Sequence, residues 1–440
     1  MRVAVIGLGH VGLVTSASLV ALGHDVRGTD SDDERIALLH DGGMPFFEPG
    51  LAELVAEGTT GGRLEFTSDT ASGVADAEVV FICVGTPSTG TGDANIVAVE
   101  QATRDFARNA TGGTVVVEKS TVPAGTAERI RRTLRVVRPD LRDETFVACN
   151  PEFLREGRAV QDCLEPDRIL VGADSPEAFE AMRRLYEPLL NKGCRLIETD
   201  IATAELAKHA SNAFLALKIS YSNALARLCE RAGADVVSVA EVLGSDARIG
   251  RAFLDAGLGY GGYCFPKDIQ AFERLAAKLG YQFPLLREVA RINDEAVEAA
   301  ADKVREGLWN LEGKRVALLG LAFKPDTDDI RFSPALALAE RLLAGGARVV
   351  GYDPRAATNA KEALPQLEIA VDVYDAATDA DCIVICTEWR EFLGLDLHRL
   401  RDVMAHPFVV DGRNLLDPAT MAEIGFAYHA TGRPAAAPLP

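Results

Sequence analysis

Basic residues are scarce in this 440-residue chain: 46 Lys and Arg face 65 Asp and Glu, a formal net charge of −19 at pH 7. That balance excludes broad attraction to nucleic acid or an anionic membrane surface, so neither is expected as a partner. An anionic small molecule would be held by a few well-placed cations and by helix N-termini. Cysteine is also sparse. The eight cysteines, at 83, 149, 163, 194, 229, 264, 382 and 386, show no paired spacing, which excludes a disulfide framework and suits reduced thiols. Cys382 and Cys386 sit in an apolar run without nearby His or Cys, so they read as core, and no metal site is expected. Long apolar runs are missing as well: none approaches the ~20 residues of a membrane span. Met1-Arg2 leads straight into Val3-Ile6 without signal-peptide features, and a cytoplasmic location is expected. What is plentiful is apolar residue, 48%, enough to fill the two or three domains that this length suggests.

Val3-Ala4-Val5-Ile6 is followed at once by Gly7-Leu8-Gly9-His10-Val11-Gly12 and by an apolar, helix-length segment from Val14 to Leu22. A strand, a phosphate turn and a helix are predicted: Gly7, Gly9 and Gly12 permit the tight turn and the close approach of a pyrophosphate to a helix N-terminus. The next strand ends at Asp30, whose carboxylate can accept both hydroxyls of an adenosine ribose and would repel a 2′-phosphate, favouring NAD over NADP. The competing role for Asp30 is as cap of the helix that follows. Two further apolar runs end in polar turns holding Thr86 and Thr121, placed to contact the cofactor or a reacting water, or simply to cap the next helices. In Asn150-Pro151-Glu152-Phe153-Leu154-Arg155-Glu156-Gly157, Glu152 and Glu156 would share a face if Pro151 began a helical turn, and one could be a general base.

Residues 203–231 contain no Gly or Pro and are rich in Ala and Leu, predicting one unusually long helix that joins the two halves and offers a face to a two-fold partner, hence a homodimer. Lys208 and Asn212, at i and i+4, can point at the same atom and would suit a developing oxyanion. Further on, Gly257-Leu258-Gly259-Tyr260-Gly261-Gly262-Tyr263-Cys264-Phe265-Pro266-Lys267-Asp268 sets one cysteine between a pliable backbone and a Lys/Asp pair. That arrangement reads as a nucleophile mount, against the plainer reading of a small buried hydrophobe in a turn.

After residue 310 the pattern repeats. Lys314-Gly320 has the character of Met1-Gly7, and Ala347-Asp353 that of Asp25-Asp30, so a second doubly wound sheet is predicted. Its copy of the glycine turn is lost, and no second NAD is expected there. Phe323 and Lys324 at a strand end, with Arg413, would instead suit a nucleotide diphosphate. The tail from Thr431 reads as disordered. The fold class is therefore α/β, two doubly wound Rossmann-like domains joined by a long central helix. Its parts are an NAD-binding domain at 1–199, a helical dimerisation and cysteine region at 200–309, and a nucleotide-sugar domain at 310–440.

The segments Gly261-Asp268, Asn150-Gly157, Ala204-Asn212 and Gly320-Lys324 resemble those of the nucleotide-sugar 6-dehydrogenase family. Tyr263 departs from it, where many relatives carry Ser. The resemblance implies catalytic roles for Cys264, Lys208, Asn212, Asp268, Glu152 and Thr121. It implies NAD contacts from Arg35, Thr86, Thr121, Glu156, Lys267 and Arg331. For the nucleotide-sugar it implies Glu152, Phe153, Leu154, Lys208 and Asn212, then Arg248, Phe253, Leu254, Gly257 and Gly261, with Lys324 and Arg413 in the last domain. Arg248 would reach across a dimer, and His209 receives no role. The reaction implied is four-electron oxidation of a sugar C6 hydroxyl, UDP-glucose to UDP-glucuronate, through a thiohemiacetal and a thioester on Cys264. The same chemistry on dTDP-glucose or another nucleotide hexose stays open. So do a two-electron hydroxyacid-type dehydrogenase and a silent nucleotide binder.

Overall fold

The computed structural model describes residues 1–87, 89 and 93–437. The chain divides into two compact units, one of residues 1–211 with 270–280, the other of 212–269 with 281–440.

The first unit is built on eight strands: β1 (Arg2–Ile6), β2 (Asp25–Thr29), β3 (Leu64–Thr67), β4 (Val79–Ile82), β5 (Thr114–Glu118), β6 (Thr145–Cys149), β7 (Arg168–Ala173) and β8 (Arg195–Thr199). Their order is β3-β2-β1-β4-β5-β6-β7-β8. All pairs are parallel except β6 with β7. Val3 lies opposite both Val26 and Val79, so β1 is central, and Val3, Ala4 and Val5 are buried on both faces of the sheet. Burial on both faces is why these strands read as unbroken apolar runs instead of alternating ones. Each fully buried Val adds about 1.5–3 kcal/mol. The strand order reverses between β1 and β4, and the crevice beyond their carboxyl ends is where such a sheet takes a ligand. The helix after β1 spans His10–Ala21, one turn earlier than the apolar pattern from Val14 suggests, because Gly9 caps it directly.

The second unit carries β9 (Arg315–Leu319), β10 (Arg348–Tyr352), β11 (Glu368–Ile369), β12 (Cys382–Ile385), β13 (Phe408–Asp411) and β14 (Ala427–Ala430). Its order, β11-β10-β9-β12-β13-β14, repeats that of the first six strands of the other sheet, here parallel throughout. Cys382 and Cys386 are buried in its core. The tail is more ordered than its composition suggests: Ala436 pairs with Tyr428 in both hydrogen-bond directions, and only 438–440 lie outside the described residues. A 32-residue helix, Ile201–Ala232, begins in the first unit and continues into the second. Among the described residues no helix is long and apolar enough to cross a membrane.

Candidate active site

In the first unit the glycine turn has the shape its sequence implies. A Cβ on Gly12 would stand 1.8 Å from the Gly7 carbonyl oxygen, so no side chain fits where the helix passes the strand. At Gly9 a Cβ would meet nothing within 4 Å, and no side chain caps the helix that starts there. Asp30 accepts from the Leu8 amide at 2.7 Å and from Arg35 at 2.8 Å through Oδ2, and from the Asp32 amide at 3.0 Å through Oδ1. The helix cap is Asp32, not Asp30, so the Asp30 carboxylate is held at the strand end beside the turn. Open space over Gly9, a helix N-terminus without a side-chain cap and a fixed carboxylate one strand away fit a dinucleotide's pyrophosphate and ribose. The Thr86 hydroxyl donates to the Thr121 carbonyl at 2.8 Å, joining the ends of β4 and β5. Neither threonine caps a helix; the helices that follow start from Ile96 and Gly125.

Residues 151–155 form no helical turn, which corrects the shared-face expectation for Glu152 and Glu156: Pro151 opens an irregular loop. In that loop Glu152 is buried and pairs with Lys208 at 2.9 Å, with 6% and 5% of the two side chains exposed. Its Oε2 also accepts from the Leu154 amide at 2.6 Å. Burial alone would raise the Glu152 carboxyl. The Lys208 charge and hydrogen bond, the Leu154 N–H and the charge of Lys119 more than offset this and hold it below the usual carboxylate range. Phe153 stacks under the Arg168 guanidinium at 3.9 Å, with Lys208 at 5.3 Å from the ring centroid. Glu156 is half-buried further along the loop.

In the second unit Cys264 is the first residue of the helix Cys264–Lys278, where negative charge on sulfur is favoured by the helix dipole. One turn on, Asp268 accepts from Lys267 Nζ at 2.6 Å and from Asn212 Nδ2 at 2.6 Å, all three side chains buried. The glycines ahead of the cysteine are crowded. Gly262 has φ +77°, and a Cβ there would touch the Phe323 ring at 2.8 Å, while at Gly261 it would meet the Phe332 carbonyl at 2.4 Å. Arg413 lies against Gly257 and donates to the Cys386 carbonyl at 2.7 Å. Lys324 stands over Phe323 at 5.3 Å. Phe253 has a positive φ of 64°, and Leu254 is buried. Among the described residues the Arg248 side chain is 89% exposed and pairs with Asp246, and the Arg331 guanidinium forks onto Asp329.

Several residues that organise these sites went unread in the sequence. Glu48 accepts from the Gly157 and Ala159 amides, both at 2.8 Å, and pairs with His10 at 2.9 Å. Lys119 and the Tyr186 hydroxyl both donate to Asn150 Oδ1, at 3.0 and 2.6 Å, fixing the residue from which the Glu152 loop starts. Asn293 exchanges two hydrogen bonds with the Tyr260 backbone, and Asn223 accepts from Gly257 N at 2.8 Å, so the glycine loop is pinned at its start and its middle. Each is remote in sequence from what it holds; only the lysine at the end of an apolar strand run carried any local signal.

Three family domains match the chain in order: the NAD binding domain of the UDP-glucose/GDP-mannose dehydrogenase family over residues 1–190, its central domain over 202–295 and its UDP binding domain over 317–418. The chain belongs to the UDP-glucose/GDP-mannose dehydrogenase family. Among its relatives, the UDP-glucose 6-dehydrogenase of Rhizobium meliloti is 46% identical, the match spanning 99% of this chain and 100% of that one. That of Pseudomonas aeruginosa is 44% identical over 99% and 98%. A solved UDP-glucose dehydrogenase from Pyrobaculum islandicum superposes with a TM-score of 0.90 at 36% identity, covering 98% of each chain. As a family member the chain is an NAD-dependent oxidoreductase with a UDP-binding domain, and the glycine turn and Asp30 described above belong to the matched NAD binding domain.

Proposed function

We propose that the chain oxidises the C6 hydroxyl of UDP-glucose to the carboxylate of UDP-glucuronate in two NAD-dependent steps, with Cys264 as nucleophile. The observation that carries this reading is a thiol at the first position of a helix, one turn from a buried Asn212-Asp268-Lys267 network. The glycine turn at Gly9 and the Asp30 carboxylate would hold NAD, which would supply the hydride acceptor for each oxidation. The chain's residues do the rest. Cys264 thiolate adds to the C6 aldehyde and retains it as a thiohemiacetal; after the second oxidation the thioester is hydrolysed, releasing the acid and the thiol. Glu152, kept ionised by Lys208, is the group able to take a proton from the attacking water. Lys208 and Asn212, four residues apart on one helix, stabilise the oxyanions, and Asp268 manages the proton of the thiol. Thr86 and Thr121 serve the cofactor and water, with Arg35, Glu156, Lys267 and Arg331 as further cofactor contacts. Phe153, Leu154, Phe253, Leu254, Gly257 and Gly261 enclose the sugar, and Lys324 and Arg413 receive the diphosphate.

The division into 1–199, 200–309 and 310–440, a cytoplasmic location and a homodimer belong to the same proposal. Phe214, Tyr221 and Leu228 support the dimer: they are 61%, 51% and 60% exposed at seven-residue intervals along the long helix, an apolar stripe suited to a second copy. The exposed Arg248 is then available to the neighbour's substrate. The test is NADH formed per molecule of limiting UDP-glucose: two, with UDP-glucuronate as product, in the wild type, and no acid from Cys264→Ala although it still binds NAD. Normal acid production by that variant ends the covalent reading, and one NADH with a released aldehyde ends the four-electron one.

A further inference from the structure

Tyr263, immediately before the cysteine, is occupied by cations. Its half-buried ring has the Arg331 guanidinium carbon at 4.6 Å from the centroid and Lys267 Nζ at 5.5 Å. Each cation is also paired with a carboxylate, Arg331 with Asp329 at 2.6 Å and Lys267 with Asp268 at 2.6 Å. The backbone closes the same circuit, since Gly262 N donates to the Arg331 carbonyl at 2.9 Å. Lys267 lies three residues after Cys264 on one helix, hence on the face of the thiol. Left to themselves, a lysine and an arginine repel each other and seek water; a π face that attracts both keeps them at one place.

We propose that Tyr263 is a positioning residue that gathers Lys267 and Arg331 beside Cys264 and so sets the fraction of the thiol present as thiolate. The proposal rests on the reading of Cys264 as nucleophile and adds a determinant to it. The gathering is assigned to the ring, since both cations stand within cation–π range of its centre. Among the described residues of this unit the charged groups around it include Lys267 and Asp268 on the helix of Cys264, Arg331 with Asp329 on the segment after β9, and Lys324 over the Phe323 ring that packs against Gly262.

The experiment is the pH dependence of Cys264 alkylation by iodoacetamide in the full-length protein, with the modified peptide quantified by mass spectrometry because seven other cysteines are present. Tyr263→Phe keeps the ring and is expected to retain the wild-type profile. Tyr263→Leu keeps apolar bulk without a π face; its profile is expected to move to higher pH, with the rate at pH 7 about fivefold lower, the size of one partly desolvated cation–π contact. An unmoved profile in Tyr263→Leu overturns the proposal, as does an equal shift in both variants, which would assign the effect to the hydroxyl. Should Tyr263→Leu not fold, Arg331→Gln must show the same upward shift, and no shift there refutes the idea. Acid production by Cys264→Ala judges the nucleophile reading separately, whatever these profiles show.

Discussion

Replacing Glu152 by Gln removes one charge from a buried ion pair and almost nothing else. The amide keeps the size of the carboxylate and an oxygen for the Leu154 N–H, but the 2.9 Å contact with Lys208, 5% exposed, loses its opposite charge. Breaking a buried pair from one side costs about 3–5 kcal/mol, and the retained hydrogen bond places this variant near the lower figure. Lys208→Met should also destabilise, and the double variant should recover much of the loss, so the cycle should yield a coupling of about 2–3 kcal/mol. The pH dependence has a definite sign. The folded carboxyl titrates below its unfolded value, so its contribution is complete above a pH of roughly 4.3 and disappears as pH falls through the lower, folded value. Wild type and Glu152→Gln should therefore differ most near neutrality and converge in acid. Hydrogen-exchange mass spectrometry in urea, read on peptides covering β6 and residues 150–157, isolates this unit from the other. Additivity of the two single changes within about 0.5 kcal/mol would show that the pair is not coupled and refute the argument.

Gly9→Ala places its methyl in open space, so thermal stability should hold while affinity for NAD, measured by calorimetry, falls about tenfold or more through obstruction of the pyrophosphate. Undiminished affinity would move the cofactor away from this turn. Asp353→Asn tests the second sheet: its carboxylate accepts from the Leu321, Ala322, Arg355 and Ala356 amides and from the Trp389 indole, so substitution should cost about 2–3 kcal/mol in urea unfolding with no change in KM for NAD. Asp30→Asn should do the reverse, raising that KM with a smaller effect on stability. Phe214→Glu with Tyr221→Glu should convert a dimer to a monomer in light scattering; a monomeric wild type would dismiss the stripe as an interface.

Local pattern carried the reading wherever a function of the chain depends on neighbours in sequence. The unbroken apolar strands, the glycine turn into a helix, the long helix free of Gly and Pro and the repeat of one strand order in two sheets follow from periodicity and backbone freedom alone. The Cys264 loop could be singled out for the same reason, since the cysteine, the glycines and the Lys/Asp pair lie within twelve residues.

Pairing across long separations was not legible. Nothing near Glu152 indicates that Lys208 neutralises it, that Asn150 is braced by Lys119 and Tyr186, or that Glu48 seizes the loop over a hundred residues away. The helical turn assigned to Pro151 is absent; instead the Leu154 amide meets the Glu152 carboxylate and the Gly157 amide meets Glu48. Asp30 and Asp353 make the contrast plainest. Both end the second strand of equivalent sheets and both accept from their own chain, but Asp30, held by two amides and Arg35, borders a turn with open space over Gly9, whereas Asp353 is enclosed by four amides and an indole. Sequence determined which chemistry each strand end could offer; the fold decided, by what it packed against each carboxylate, which of them remained available to a ligand.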